Sequence, residues 1–251
     1  MRCVDVRLSH KIRKIVSPQG WASARTHARR FFHKQRFPLE TDRIIQSIDR
    51  EQLEQIRQRY AVEGPSPHWP KYLHLHRWID INIRRVRELE LDVSSPKRII
   101  DLGCGAGYFL YICRLLGHDV LGLDLGNPPM FAEITRLLGI RRVISRIERF
   151  VPLPDLGRKF DLITAFLICF NRHKQTDLWG VAEWDFFLDD LAKHLAPGGR
   201  IWLELNREYD GGFYTPELKE FFLKRGATID ERKIIFNSGL LAPVSAPPVA
   251  R

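Results

Sequence analysis

From about residue 96 onward, short apolar runs alternate with helical patterns. "RIIDL" (98–102) reads as a buried strand, "GYFLYICRLLG" (107–117) as a helix stopped by Gly117, and "DVLGLDL" (119–125) as a second strand. "PMFAEITRLLG" (129–139) predicts a helix with Pro128 and Pro129 at its start and Gly139 at its end. "IRRVIS" (140–145) is a third strand and "KFDLITAFLICF" (159–170) a long apolar fourth. "EWDFFLDDLAKHLAPGG" (183–199) carries Trp184, Phe187, Leu188, Leu191 and Leu195 on one helical face, before a fifth strand, "RIWLELN" (200–206). "TPELKEFFLKRG" (215–226) predicts a last helix, and "ATIDERKIIF" (227–236) a sixth strand. The tail "GLLAPVSAPPVAR" holds a poor last strand or none. Strands and helices in alternation make a doubly wound, mostly parallel α/β sheet with helices on both faces.

Residues 39–95 read differently. Thr41 or Asp42 caps a helix bearing Ile44, Ile45, Ile48, Leu53 and Ile56. "EGPSPHWP" (63–70) is a loop, and an amphipathic helix follows from about 71 to 91, with Tyr72, Leu75, Ile79, Ile83, Val86 and Leu89 on its buried face. The expected layout is a basic arm over 1–38, a helical cap over 39–95 and an α/β domain over 96–251.

Charge separates the arm from the rest. Residues 1–38 hold ten Lys and Arg against one acid, Asp5, whereas the chain as a whole carries +10. The remainder is therefore nearly neutral. The arm places Leu8, Ile12 and Ile15 at helical spacing among cations, and Phe31, Phe32 and Phe37 among others. Such a segment suits an anionic membrane surface, nucleic acid, a targeting peptide or a solvated tail. The longest central apolar run, Leu162 to Phe170, is half a membrane span. Cysteines at 3, 104, 113 and 169 form no CxxC pair and no zinc spacing, which points to buried thiols in a reducing, cytoplasmic compartment.

The chemistry concentrates in "IIDLGCGAGYF" (99–109). Gly103, Gly105 and Gly107 form a strand-to-helix turn, where open α/β sheets bind ligands. No Lys follows Gly107, so a triphosphate loop is excluded, and Tyr108 stands where a dinucleotide fingerprint needs its third glycine. Asp101, two residues before the glycines, would repel a pyrophosphate and favour a cation such as a sulfonium or an ammonium. Asp124, at the end of the second strand, suits two ribose hydroxyls.

Together, "IIDLGCGAGYF", "VLGLDLG", "FDLITAF" and "LAPGGRIWLEL" resemble the class I S-adenosylmethionine-dependent methyltransferases over roughly residues 96–206. The resemblance implies a seven-stranded Rossmann-like sheet with an antiparallel last strand. It implies S-adenosylmethionine as cofactor, held by Asp101, Gly103, Cys104, Gly105 and Gly107, by Asp124 and Leu125 at the ribose, and by Ile147 and Glu148 at the adenine. The acceptor is expected beyond the fourth strand, where Asn171 can hydrogen-bond it, His173 is the candidate base, and Trp179 and Trp184 can pack on a ring. "NPPM" (127–130) lies after the wrong strand for a DNA amino-methyltransferase, and Ile168 before Cys169 departs from the Pro-Cys of cytosine C5 enzymes. Tyr72, His74 and His76 fall on the cap. The expected activity is methylation of a small molecule, saccharide or lipid-linked metabolite. The alternatives are an RNA methyltransferase guided by the basic arm, and a non-catalytic S-adenosylmethionine-binding module.

Overall fold

A computed structural model describes residues 38–61, 69–168, 170 and 176–237. The arm over 1–37 and the tail after 237 lie outside the described residues. The cap holds helices α1 (Thr41–Gln46) and α2 (Arg50–Ala61), a 3-10 turn (Trp69–Leu73) and α3 (Leu75–Glu88). The α/β part runs β1 (Arg98–Leu102), α4 (Tyr108–Leu115), β2 (Asp119–Asp124), α5 (Pro129–Leu137), β3 (Arg142–Ile144), β4 (Phe160–Ile168), α6 (Val181–His194), β5 (Leu195–Leu205), α7 (Pro216–Lys224), β6 (Thr228–Asp230) and β7 (Lys233–Asn237).

The strands form one seven-stranded sheet in the order β3-β2-β1-β4-β5-β7-β6. β1 to β5 are parallel, and β7 runs antiparallel to β5 and β6. The chain moves outward from β1 through β2 to β3, then returns to β4 on the other side of β1. The order reverses between β1 and β4, and the crevice beyond their carboxyl ends is where such sheets bind ligands. One face of the sheet packs Ile99, Leu162 and Trp202 under α3, α4 and α5, in the same core that takes Ile44, Ile48, Leu53 and Ile56 from the cap. The other face packs Ile100, Leu102, Ile163 and Phe236 against α6 and α7. Among the described residues, no helix is long and apolar enough to cross a membrane.

Several expectations change. The first predicted helix is two, because the Asp49 carboxylate accepts from the Gln52 N–H at 3.0 Å and from its side-chain amide at 2.8 Å, so α2 receives a cap of its own. Glu40, not Thr41 or Asp42, stands at the N-cap of α1. The helix expected over 183–199 stops at His194; Leu195 already pairs with Phe160, and the register jumps to Arg200 opposite Leu162, so "LAPGG" lies within β5 at an irregularity. The sixth predicted strand is the β6–β7 hairpin, turning at Glu231, whose φ is +52°. Both β6 and β7 therefore come from within 227–237, and the expectation of a last strand in the tail lies outside the described residues.

The amphipathic helix of the cap begins later than expected. Trp69–Leu73 is a 3-10 turn and α3 starts at Leu75, with Ile79, Ile83, Val86 and Leu89 buried as predicted and Tyr72 only half-buried.

Candidate functional site

Gly103, Gly105 and Gly107 have φ of +68°, +54° and +75°, so all three occupy the left-handed region that favours glycine. The Gly103 N–H donates to the Leu123 carbonyl at 2.7 Å, pinning the end of β1 to β2. A Cβ on Gly103 would lie 2.9 Å from Ile168 Cδ1, and one on Gly107 3.0 Å from Thr135 Cγ2. The turn is thus packed closely between the end of β4 and α5.

Asp124 closes this turn from the neighbouring strand. Its Oδ2 accepts from the Gly105 N–H at 2.5 Å and its Oδ1 from the Leu125 N–H at 2.6 Å. Burial raises the Asp124 pKa, while these two main-chain donors act to lower it. Beside it opens a cavity of about 680 Å³, lined by Gly103, Asp124, Leu125, Ile147, Glu148 and, from the opposite wall, Ile168, Phe170 and Trp179, with other residues of the 145–149 and 177–179 segments.

The cavity therefore brings together Gly103, Asp124, Leu125, Ile147 and Glu148 of the predicted set. The others stand behind it. Asp101 is buried, its Oδ1 accepting from the Thr164 hydroxyl at 2.7 Å on the face covered by α3. Burial pushes its pKa up to about 7; the Thr164 hydroxyl and Arg85 oppose the rise, and Asp124 and Glu204 add to it. Cys104 is buried with its sulfur under Gly122, where a Cβ would come within 2.6 Å of Sγ, and burial raises the thiol pKa well above its ordinary value. Gly105 and Gly107 shape the turn without lining the cavity.

On the acceptor side, Asn171 and His173 lie outside the described residues. Trp179 lines the cavity, whereas Trp184 is buried among Phe170, Phe187 and Phe222, with ring centroids 4.7, 6.0 and 5.2 Å away. Leu167, near the end of β4, has φ of +57°, and its carbonyl accepts from the Asn206 amide. Tyr72 stacks edge-on against Phe131 at 5.0 Å and accepts the Tyr108 hydroxyl on its carbonyl, tying the cap to the helix after the glycine turn. His74 and His76 face a separate groove with Arg50, Arg57 and Arg77.

Sequence reasoning missed Ile168, Arg149 and Asp177 on the lining. Ile168 carried a signal, since it ends the apolar fourth strand beside the switch point. Arg149 and Asp177 carried none, being polar residues in loops.

A family profile described as a methyltransferase domain matches residues 74–220. The chain is 31% identical over 146 residues to a ubiquinone biosynthesis O-methyltransferase of Chelativorans sp. (strain BNC1), covering 53% of each protein. It is 28% identical over 123 residues to a tRNA U34 carboxymethyltransferase of Hydrogenovibrio crunogenus, covering 45% of this chain and 33% of that protein. Among solved structures it is similar to CalS10, an amino pentose methyltransferase from Micromonospora echinaspora, with 31% identity, a TM-score of 0.34, and coverage of 50% of this chain and 48% of that one. The chain spans about half the length of the first of these curated relatives and a third of the second.

Proposed function

We propose, for a chain that belongs to the class I S-adenosylmethionine-dependent methyltransferases, that the cavity beyond β1 and β2 holds S-adenosylmethionine and that the protein methylates a small molecule, a saccharide or a lipid-linked metabolite. The observation that carries this is the turn at 103–107: three glycines at positive φ, closed by the Asp124 carboxylate at the edge of a cavity of about 680 Å³. The residues present fit the cofactor. Side chains at Gly103 or Gly107 would collide with Ile168 or Thr135, so glycine keeps the turn low. Asp124 can accept both ribose hydroxyls, because its Gly105 and Leu125 donors leave further lone pairs on each oxygen. Ile147 supplies an apolar surface and Glu148 an acceptor at the adenine end. Asp101 supplies negative charge below the turn, suited to a cationic ligand, without touching the cavity.

When bound, the cofactor supplies an electrophilic methyl group on a sulfonium. The protein's part is to align the acceptor with it and to exclude water. The acceptor belongs beyond the end of β4, after which Asn171 is the candidate hydrogen-bonding group and His173 the candidate base in the sequence. The identity to a ubiquinone biosynthesis O-methyltransferase supports a small-molecule acceptor. The cations of residues 1–38 support a second reading, an RNA acceptor; RNA binding that falls steeply with salt and disappears when residues 1–38 are removed would establish it. The free, buried thiols of Cys104 and Cys113 support action in the reducing cytoplasm.

Calorimetry tests the cofactor. Wild type should bind S-adenosylmethionine and S-adenosylhomocysteine at micromolar Kd and ignore NADH. Asp124→Ala removes charge-assisted hydrogen bonds to the ribose and should weaken both by roughly 10- to 100-fold. A wild-type protein that binds neither sulfur nucleoside is not a methyltransferase of this class.

A further inference from the structure

Two segments face each other across the cavity, 145–149 after β3 and 177–179 before α6. The Arg149 side chain joins them. The Arg149 guanidinium donates through Nη2 to the Asp177 carbonyl and to the Leu178 carbonyl, the latter at 3.1 Å. Its Nε lies 3.9 Å from Glu183 Oε1, and the other oxygen of that carboxylate accepts from the Gly180 N–H at 3.0 Å, capping α6. The adjoining Phe150, at φ +57°, sets its ring against Phe186 of α6 at 5.8 Å. The loop after β3 is thereby drawn over to the start of α6, and the cavity lies between.

We propose that Arg149 is a latch across the cofactor cavity, a positioning residue that holds the two walls together and sets how fast S-adenosylmethionine enters and S-adenosylhomocysteine leaves. The inference rests on the reading of this cavity as the cofactor site. Arg149 fits the role because its donors are directed at protein carbonyls. Those acceptors are main-chain atoms, which fix the position of the opposite wall rather than that of one side chain. One nitrogen, Nη2, serves both carbonyls while Nε faces Glu183, so the planar group addresses the loop and the helix cap from separate nitrogens, where a lysine ammonium acts as a point charge. The Arg149 side chain is 40% exposed, so its contacts are weak enough to break and reform as ligand passes. Glu183 couples the latch to α6, since one carboxylate serves both Arg149 and the helix cap.

Stopped-flow tryptophan fluorescence, to which Trp179 on the cavity wall contributes, with S-adenosylhomocysteine as the probe and the full chain as the protein, separates the possibilities. Loss of a latch speeds passage in both directions, whereas loss of a direct ligand contact speeds only dissociation. Arg149→Ala should raise association and dissociation rates together, each by about fivefold, the equivalent of one net hydrogen bond. Arg149→Lys and Glu183→Gln should give smaller increases of the same kind. Unchanged rates in Arg149→Ala, or a faster dissociation with unchanged association, overturn the latch while leaving the cofactor assignment standing. Failure of wild type to bind the probe overturns the cofactor reading and, with it, the latch.

Discussion

Asp101 shows how one residue serves a site that it does not touch. Its carboxyl is buried beneath the glycine turn and holds a single side-chain partner, Thr164. Burial raises its pKa from 3.8 to about 7, so folding at neutral pH works against the charged form. The sign follows from linkage. Between the ordinary carboxylate range and pH 7 the folded state binds more protons at this position than the unfolded state does, so stability falls as pH rises through that window and levels off above it. Asp101→Asn keeps an oxygen for the Thr164 hydroxyl and removes the titration. The variant should gain on wild type from pH 5 to pH 8, read as the difference between urea midpoints at the two values. An equal difference at both would mean that Asp101 titrates normally. The charge kept there despite this cost lies near Asp124 and below a turn read as the seat of a cationic ligand, which is a reason for a carboxylate rather than an amide.

At the scale of the element, the glycine turn is a device of backbone angles and clearances. Gly103→Ala forces a side chain into φ of +68° and sets its Cβ 2.9 Å from Ile168. The expected cost is about 1–3 kcal/mol, measurable as a lowered urea midpoint at unchanged slope, accompanied by weaker S-adenosylhomocysteine binding because Ile168 is displaced along the cavity wall. A midpoint shifted by less than a few tenths of a molar would show that the end of β4 yields freely. This element was legible in the sequence because its requirements are local: glycine alone tolerates the angles, and Asp101 and Asp124 end strands marked by apolar runs. The β6–β7 hairpin was not, since "TIDERKIIF" has no Gly or Pro at its turn and Glu231 takes a positive φ with no compositional sign. Nor was the break between α1 and α2, where Ser47 and Asp49 look like ordinary helix-surface residues until the Asp49 carboxylate turns onto Gln52. Arg149 was invisible for another reason. Its acceptors are main-chain carbonyls 28 and 29 residues away, and no side-chain pattern records them.

At the scale of the molecule, the cap and the sheet are joined by charge as well as by a shared core. Arg85 of α3 donates to Glu204 of β5 at 3.0 Å and to Asn82 at 3.1 Å, and its guanidinium lies 4.1 Å from the ring centre of Phe166 on β4. Arg232, at the turn before β7, approaches the same carboxylate at 3.8 Å, and Lys233 pairs with Glu88 of α3. Glu204 is only 4% exposed at its side chain. A pair this buried contributes little net stability while intact, yet it is costly to break from one side, because the remaining charge has lost its partner. Arg85→Met should therefore lower stability by about 3 kcal/mol or more, with Arg232 absorbing part of the loss. Arg85→Met combined with Glu204→Leu should recover most of it, since neither charge is then left in the core. The cap should follow the sheet in both variants. Helical signal and tryptophan fluorescence, which includes Trp202 in the shared core, should be lost in one urea transition, as a continuous core requires. Two separated transitions in Arg85→Met would instead show that α1 to α3 fold as a unit of their own, held to the sheet chiefly by this cluster of charges.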